Sequence, residues 1–221
     1  LTDLIDKIIR SKRRTIALVI TKDATLEVRA PCNASLDLIE KFVAEKISWI
    51  ERKKNFVNKN RTNILPKNFV DGEEFIFEGN IYKLQCGNYE AISISSSLHF
   101  PKKFLPQAKQ HLTIWYKNQA LKKIIRRVKH YSNITQLKYK SVKLTSAKRS
   151  WGSCSHKGSL HINWRLVMAP LNILDYVVVH ELIHLVEKNH SKQFWHRVQT
   201  ILPDYKEQKN WLKLNGNTLT L

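Results

Sequence analysis

Between His180 and Trp195 the chain reads HELIHLVEKNHSKQFW, with two histidines four residues apart and Glu181 directly after the first. On a helix, positions i and i+4 project from one face about a turn apart, so both imidazoles can reach one zinc ion at about 2.0–2.1 Å. Glu181 cannot share that ligating geometry. Its carboxylate can reach a water at the metal and take its proton, which the metal makes feasible near neutral pH. This HExxH spacing points to metal-assisted hydrolysis. The preceding Tyr176-Val177-Val178-Val179 is apolar and mostly β-branched, which places the histidines in a buried element. Two imidazoles and a carboxylate buried without partners are costly, and a bound cation removes that cost.

A catalytic zinc takes three protein ligands and keeps one position open. His190, six residues after His184, completes HExxHxxxxxH and is the expected third ligand, with Glu187 and His196 as the alternatives. The spacing matches the metzincins, where a glycine after the second histidine lets the chain turn. Glu187 occupies that position, so the turn is expected at Lys188-Asn189, because Asn tolerates the left-handed conformation.

The rest of the chain supplies the elements around this segment. Thr15–Thr21 and Thr25–Ala30 read as strands joined by a turn at Lys22-Asp23-Ala24. Ser35 is a good cap for a helix that starts at Leu36 and keeps helical apolar spacing to Ile50. Lys53–Asn68 reads as a polar linker. Glu74–Phe77, Ile81–Gln85, Ile92–Ile94 and Leu98–Phe100 are short β segments, and an amphipathic helix runs from about Gln107 to Tyr131. Tyr139–Thr145 and Ser159–Trp164 are strands on either side of a turn-rich loop, Ser150–Gly158. Helices follow over Asn172–Glu187, from Ser191 to Ile201, and over Tyr205–Leu214. The expected fold is α+β. A β-rich N-terminal portion (1–103) precedes a catalytic domain (104–221) with a small sheet packed on the HExxH helix.

Bulk properties narrow the class. At 221 residues, 43% hydrophobic and 25% charged, the chain can bury a substantial core. No apolar run is long enough to span a membrane, and Ile16–Ile20 is too short for a signal-peptide core. Three widely spaced cysteines without a CxxC argue against a disulfide framework, so a cytoplasmic location is expected. The chain begins with Leu1 rather than Met and is read as starting downstream of its natural start. Lys and Arg number 38 against 18 acids, a net charge of +20. That excess suits a polyanion such as nucleic acid, or simply a solvated surface, since no nucleic-acid-binding motif accompanies it.

Two blocks extend the motif into a family pattern. KRSWGSCSHKGSLHINWRLVMAP followed by DYVVVHELIHLVEKNHSKQFW resembles the YgjP-like metallopeptidases, a zincin family. RRTIALVITKDATLEVRAP, KISWIERKK and VDGEEFIFEGNIYKL resemble the same family's N-terminal region, so the resemblance covers nearly the whole chain. It implies one Zn2+ at His180, His184 and His190, Glu181 as catalytic base, and a protein or peptide substrate. It also implies kinship with SprT-like and Wss-type proteases, some of which act on DNA-bound proteins.

The functional expectation is a zinc peptidase. The alternatives are a basic nucleic-acid-associated protein and a metal-dependent hydrolase of non-peptide bonds. Leu160–Trp164 is the candidate strand for pairing with an extended peptide, with Asn163 and Arg165 available to orient it. Packing by Trp151 and Trp164 and a loop tie by Asn163 form the competing reading. Nothing in the sequence sets the oligomeric state.

Overall fold

The computed structural model describes residues 4–21, 23–61 and 67–221, with backbone alone at 56 and 58–61. Contacts divide the chain into two units, Leu1–Leu65 and Pro66–Leu221.

In the first unit β3 (Leu26–Pro31) lies between β1 (Lys7–Ser11), which pairs with it in parallel, and β2 (Ala17–Ile20), which pairs antiparallel. Period-2 alternation buries Leu26, Val28 and Ala30 against Ile39, Val43 and Ile50 of two helices, α1 (Leu36–Ala44) and α2 (Ile47–Arg61). Ser35 caps α1 by accepting the Leu38 N–H at 3.2 Å. The single helix expected through Ile50 is two, because the Lys46 N–H turns back to Val43 O at 3.0 Å and tightens the end of α1. The β2–β3 turn closes by Thr21 N–H to Thr25 O at 2.9 Å, although its Lys22 lies outside the described residues. The expected linker from Lys53 begins as helix, and its 62–66 portion lies outside the described residues. β1 is hidden in a basic cluster: the Arg10 guanidinium donates to the carbonyls of Pro31, Cys32 and Ala34, at 2.6 Å for the last.

The second unit opens with a sheet of order β4-β5-β7-β6, from β4 (Glu74–Phe77), β5 (Asn80–Gly87), β6 (Ser93–Ile94) and β7 (Leu98–Pro101). Its Phe75, Leu84, Leu98 and Phe100 share one core with the helices that follow, so the boundary expected near residue 103 falls inside this unit. Helix α3 (Ala108–Thr135) buries every fourth residue from Ala108 to Val128 as one stripe. It packs on α4 (Leu171–Ile183), which is buried on nearly all sides and carries the HExxH segment. Arg127 clamps the two helices by donating to both Asp175 carboxylate oxygens, at 2.6 and 2.7 Å.

The small sheet expected on the HExxH helix is present, with order β8-β10-β9 for β8 (Ser141–Thr145), β9 (Gly152–Cys154) and β10 (Ser159–Asn163). β9 and β10 both lie on α4. β10 is the middle strand, with β8 parallel on one side and β9 antiparallel on the other. Both its edges are therefore taken, and the expectation that Leu160–Trp164 receives a peptide does not hold. β9, read from sequence as loop, is the edge strand beside α4. Helices α5 (Lys192–Ile201) and α6 (Tyr205–Asn215) complete the unit. Among the described residues no helix is long and apolar enough to cross a membrane.

Because the Arg127–Asp175 pair is largely shielded from solvent, removing one partner leaves an uncompensated charge. D175A should lower the urea-unfolding free energy by about 3 kcal/mol, and R127M/D175L by much less, since an apolar replacement strands no charge. Equal losses in the two variants would contradict this reading.

Candidate metal centre

α4 ends at Ile183, immediately before His184. His184 N–H still reaches His180 O, at 3.4 Å, and then the chain tightens: Leu185 N–H bonds Leu182 O and Val186 N–H bonds Ile183 O, both at 3.0 Å. Lys188 Nζ covers the freed carbonyls of His184 and Leu185 at 3.0 and 3.1 Å. The reversal thus runs through a tightened helix end capped by a lysine. None of residues 184–190 has a positive φ, so the left-handed turn expected at Lys188-Asn189 is absent, and the lack of glycine at position 187 carries no strain.

This turn brings His190 back to the helix. The rings of His180, His184 and His190 form a near-equilateral triangle, with centroids 4.9, 4.8 and 4.8 Å apart. Their ligand-capable nitrogens all lie within 4.8 Å of one another, and Nε2 of His190 is 2.9 Å from Nε2 of His180. Phe194, fully buried, sits beneath all three at 4.9, 4.7 and 4.8 Å. Ser191 fixes this floor by accepting the Phe194 N–H at 3.2 Å as the cap of α5. Trp195 stacks on His190 at 5.6 Å and on Tyr205 at 5.3 Å, wedging α5 against α4 and α6.

The alternative ligands are placed elsewhere. Glu187 pairs with Arg197 at 3.0 Å, and His196 lines a groove with Tyr131 and Ile134. The Cys154 Sγ–H donates to Ser155 O, and burial pushes its thiol pKa up, so it stays protonated. Asn163 holds a loop by donating to Ala147 O at 2.9 Å and Ser150 O at 3.2 Å, which matches the packing reading of that residue.

The three imidazoles suit a divalent ion of borderline softness. His184 Nδ1 lies 2.9 Å from the Glu187 carbonyl, which can only accept. That nitrogen therefore carries the proton and leaves the Nε2 lone pair free. Burial, then the like charge of His184, His190 and Lys209, pulls His180 down to about 3, so it stays neutral and able to ligate. Burial, followed by His184 and Lys209, also lowers His190. Lys209 Nζ sits 4.1 Å over the Trp195 ring, which holds this positive charge beside the cluster.

Glu181 stands next to the cluster with 5% of its surface exposed. Among the described residues, its Oε2 and His180 Nδ1 are both buried polar atoms without a hydrogen-bond partner. Burial pushes the Glu181 carboxyl from its ordinary 4.5 up to about 8. Gly152 of β9 presses on this side chain. A Cβ there would lie 2.6 Å from Oε1, 2.7 Å from Cγ and 2.8 Å from Cδ. This explains the glycine of the WGSCS stretch, to which sequence reasoning assigned no role. Tyr176, four residues before His180, is pushed up to about 12 by burial and by the Tyr205 and Glu181 charges, so it remains a neutral hydroxyl.

A raised carboxyl pKa gives the metal-free protein a definite pH signature. Its contribution is fully favourable below the ordinary 4.5 and is lost as pH rises towards about 8. The lowered His180 acts oppositely, destabilising as pH falls below 6.5, but it is common to wild type and a Glu181→Gln variant. Metal-free E181Q should therefore match wild type near pH 4 and exceed it by on the order of 4 kcal/mol at pH 8 in urea unfolding. A gap that does not grow with pH would contradict a desolvated Glu181.

The model of the YgjP-like metallopeptidase domain matches residues 14–215. No curated protein matches the chain. A solved structure, the metallopeptidase zymogen abylysin of Pyrococcus abyssi, is 23% identical and aligns 40% of this chain with 90% of its own at a TM-score of 0.38. With the family pattern running from strand β2 to the last helix, the chain belongs to the YgjP-like metallopeptidase family.

Proposed function

We propose that the chain hydrolyses peptide bonds using one zinc ion held by His180, His184 and His190, with Glu181 as general base. The observation that carries this reading is the convergence of three imidazoles beside a buried carboxyl group whose Oε2 has no partner among the described residues. A bound zinc ion supplies Lewis acidity, lowering the pKa of water and polarising an amide carbonyl. Glu181 takes a proton from water and delivers it to the leaving amine. The value near 8 belongs to the metal-free protein, and a bound cation would favour the ionised form of Glu181 that can accept a proton. Gly152 leaves the carboxylate the space it occupies, and Phe194 keeps the rings packed from below.

The substrate strand belongs on β9, which of the two edge strands of the three-stranded sheet is the one whose Gly152 touches Glu181. The three free cysteines fit a reducing cytoplasm.

Peptide-library cleavage together with metal analysis tests the proposal. E181Q should retain one zinc per chain while its rate falls by about 10²–10⁴-fold. G152A should also retain zinc and lose about 10–100-fold, because the added methyl displaces the carboxylate. H196A should change neither. Wild-type cleavage by E181Q would overturn the assignment of the base, and zinc retention by H190A at wild-type affinity would overturn that of the third ligand.

A further inference from the structure

The second unit carries a cavity of about 220 Å³ whose lining, which takes in Thr220 and Leu221, includes no acidic side chain and none of the clustered histidines. Lys109, Thr113 and Lys117 line it from successive turns of α3, four residues apart and so on one face. Arg165 lines it from the turn Trp164–Met168, its guanidinium 4.7 Å over the Trp164 ring. Among the described residues none of these three cations pairs with a carboxylate. Farther along the same helix, Lys123 pairs with Glu78 and Arg127 with Asp175. Lys109, Lys117 and Arg165 thus meet at one concavity, whereas Lys122, Arg126 and Lys129 of the same helix lie exposed away from it.

The hydrogen bonds around the cavity leave donors facing it. Ser146 Oγ accepts the Trp164 Nε1–H at 3.0 Å, so its own hydroxyl hydrogen remains to donate. Asn163, 2% exposed, fixes both walls: its amide donates to the carbonyls of Ala147 and Ser150, and its oxygen accepts the Arg165 N–H at 3.2 Å. Burial also pushes the Arg165 pKa down, a desolvation cost that a bound anion offsets. Two ammonium groups, a planar guanidinium and a free hydroxyl match the charge and the several oxygens of a phosphate better than a single carboxylate.

We propose that this cavity binds a phosphate group, presented by a nucleic-acid backbone or as free phosphate. The site is independent of the metal centre, and its test reads binding rather than cleavage. Anisotropy of a labelled single-stranded oligonucleotide, with inorganic phosphate as competitor and by calorimetry alone, is measured on the full chain. K109Q/K117Q is compared with K122Q/K129Q, which removes the same charge from exposed positions of the same helix. The cavity pair should weaken binding of one or both probes by about tenfold, and the control pair by less than about twofold. Competition by inorganic phosphate at matched ionic strength would assign the site to free phosphate. Loss confined to the oligonucleotide would assign it to the backbone. Equal effects of the two pairs, or no binding of either probe by wild type, would overturn the proposal.

Discussion

Desolvation of a carboxyl group is the constraint on which the site depends. Glu181 is buried on α4 against Gly152 of β9, and burial alone lifts its pKa to about 8. In water such a group would be ionised at neutral pH and tied to solvent. In the metal-free protein it is held protonated near neutral pH, and a bound cation would favour the ionised form that a general base needs. The same apolar enclosure keeps His180 neutral, which preserves a lone pair for a cation. Both effects cost folding energy, and a bound ion would offset part of it, so metal binding and stability are expected to be coupled.

The surrounding fold holds this costly arrangement in place. α4 can bury polar groups because the rest of its surface is apolar and packed against α3, α6 and the small sheet. Arg127 and Asp175 clamp α3 to α4, and Ser191 and Phe194 fix the segment that returns His190. Positioning therefore rests on rigid elements, with a single short turn between two of the three imidazoles.

Much of this was legible in the sequence because it is written in local spacing. The i, i+4 histidines, the Ser35 and Ser191 caps and the apolar stripe of α3 each follow from helix geometry. What escaped is non-local. β1 needs its parallel partner β3, and Arg10 needs carbonyls more than twenty residues away. β9 is three residues long and becomes a strand only when paired with β10. The turn after His184 was expected to need a left-handed residue. Lys188 instead satisfies the helix-end carbonyls, a side-chain solution that no φ preference announces. The role of Gly152 was invisible for the same reason, since a missing Cβ acquires meaning only when Glu181 is seen against it.

X-ray absorption at the zinc edge tests the central claim most directly, because it reads the ligand atoms themselves. The account predicts three imidazole nitrogens and one further light atom at about 2.0–2.1 Å. A sulfur shell at about 2.3 Å, or a fourth imidazole closing the site, would contradict it.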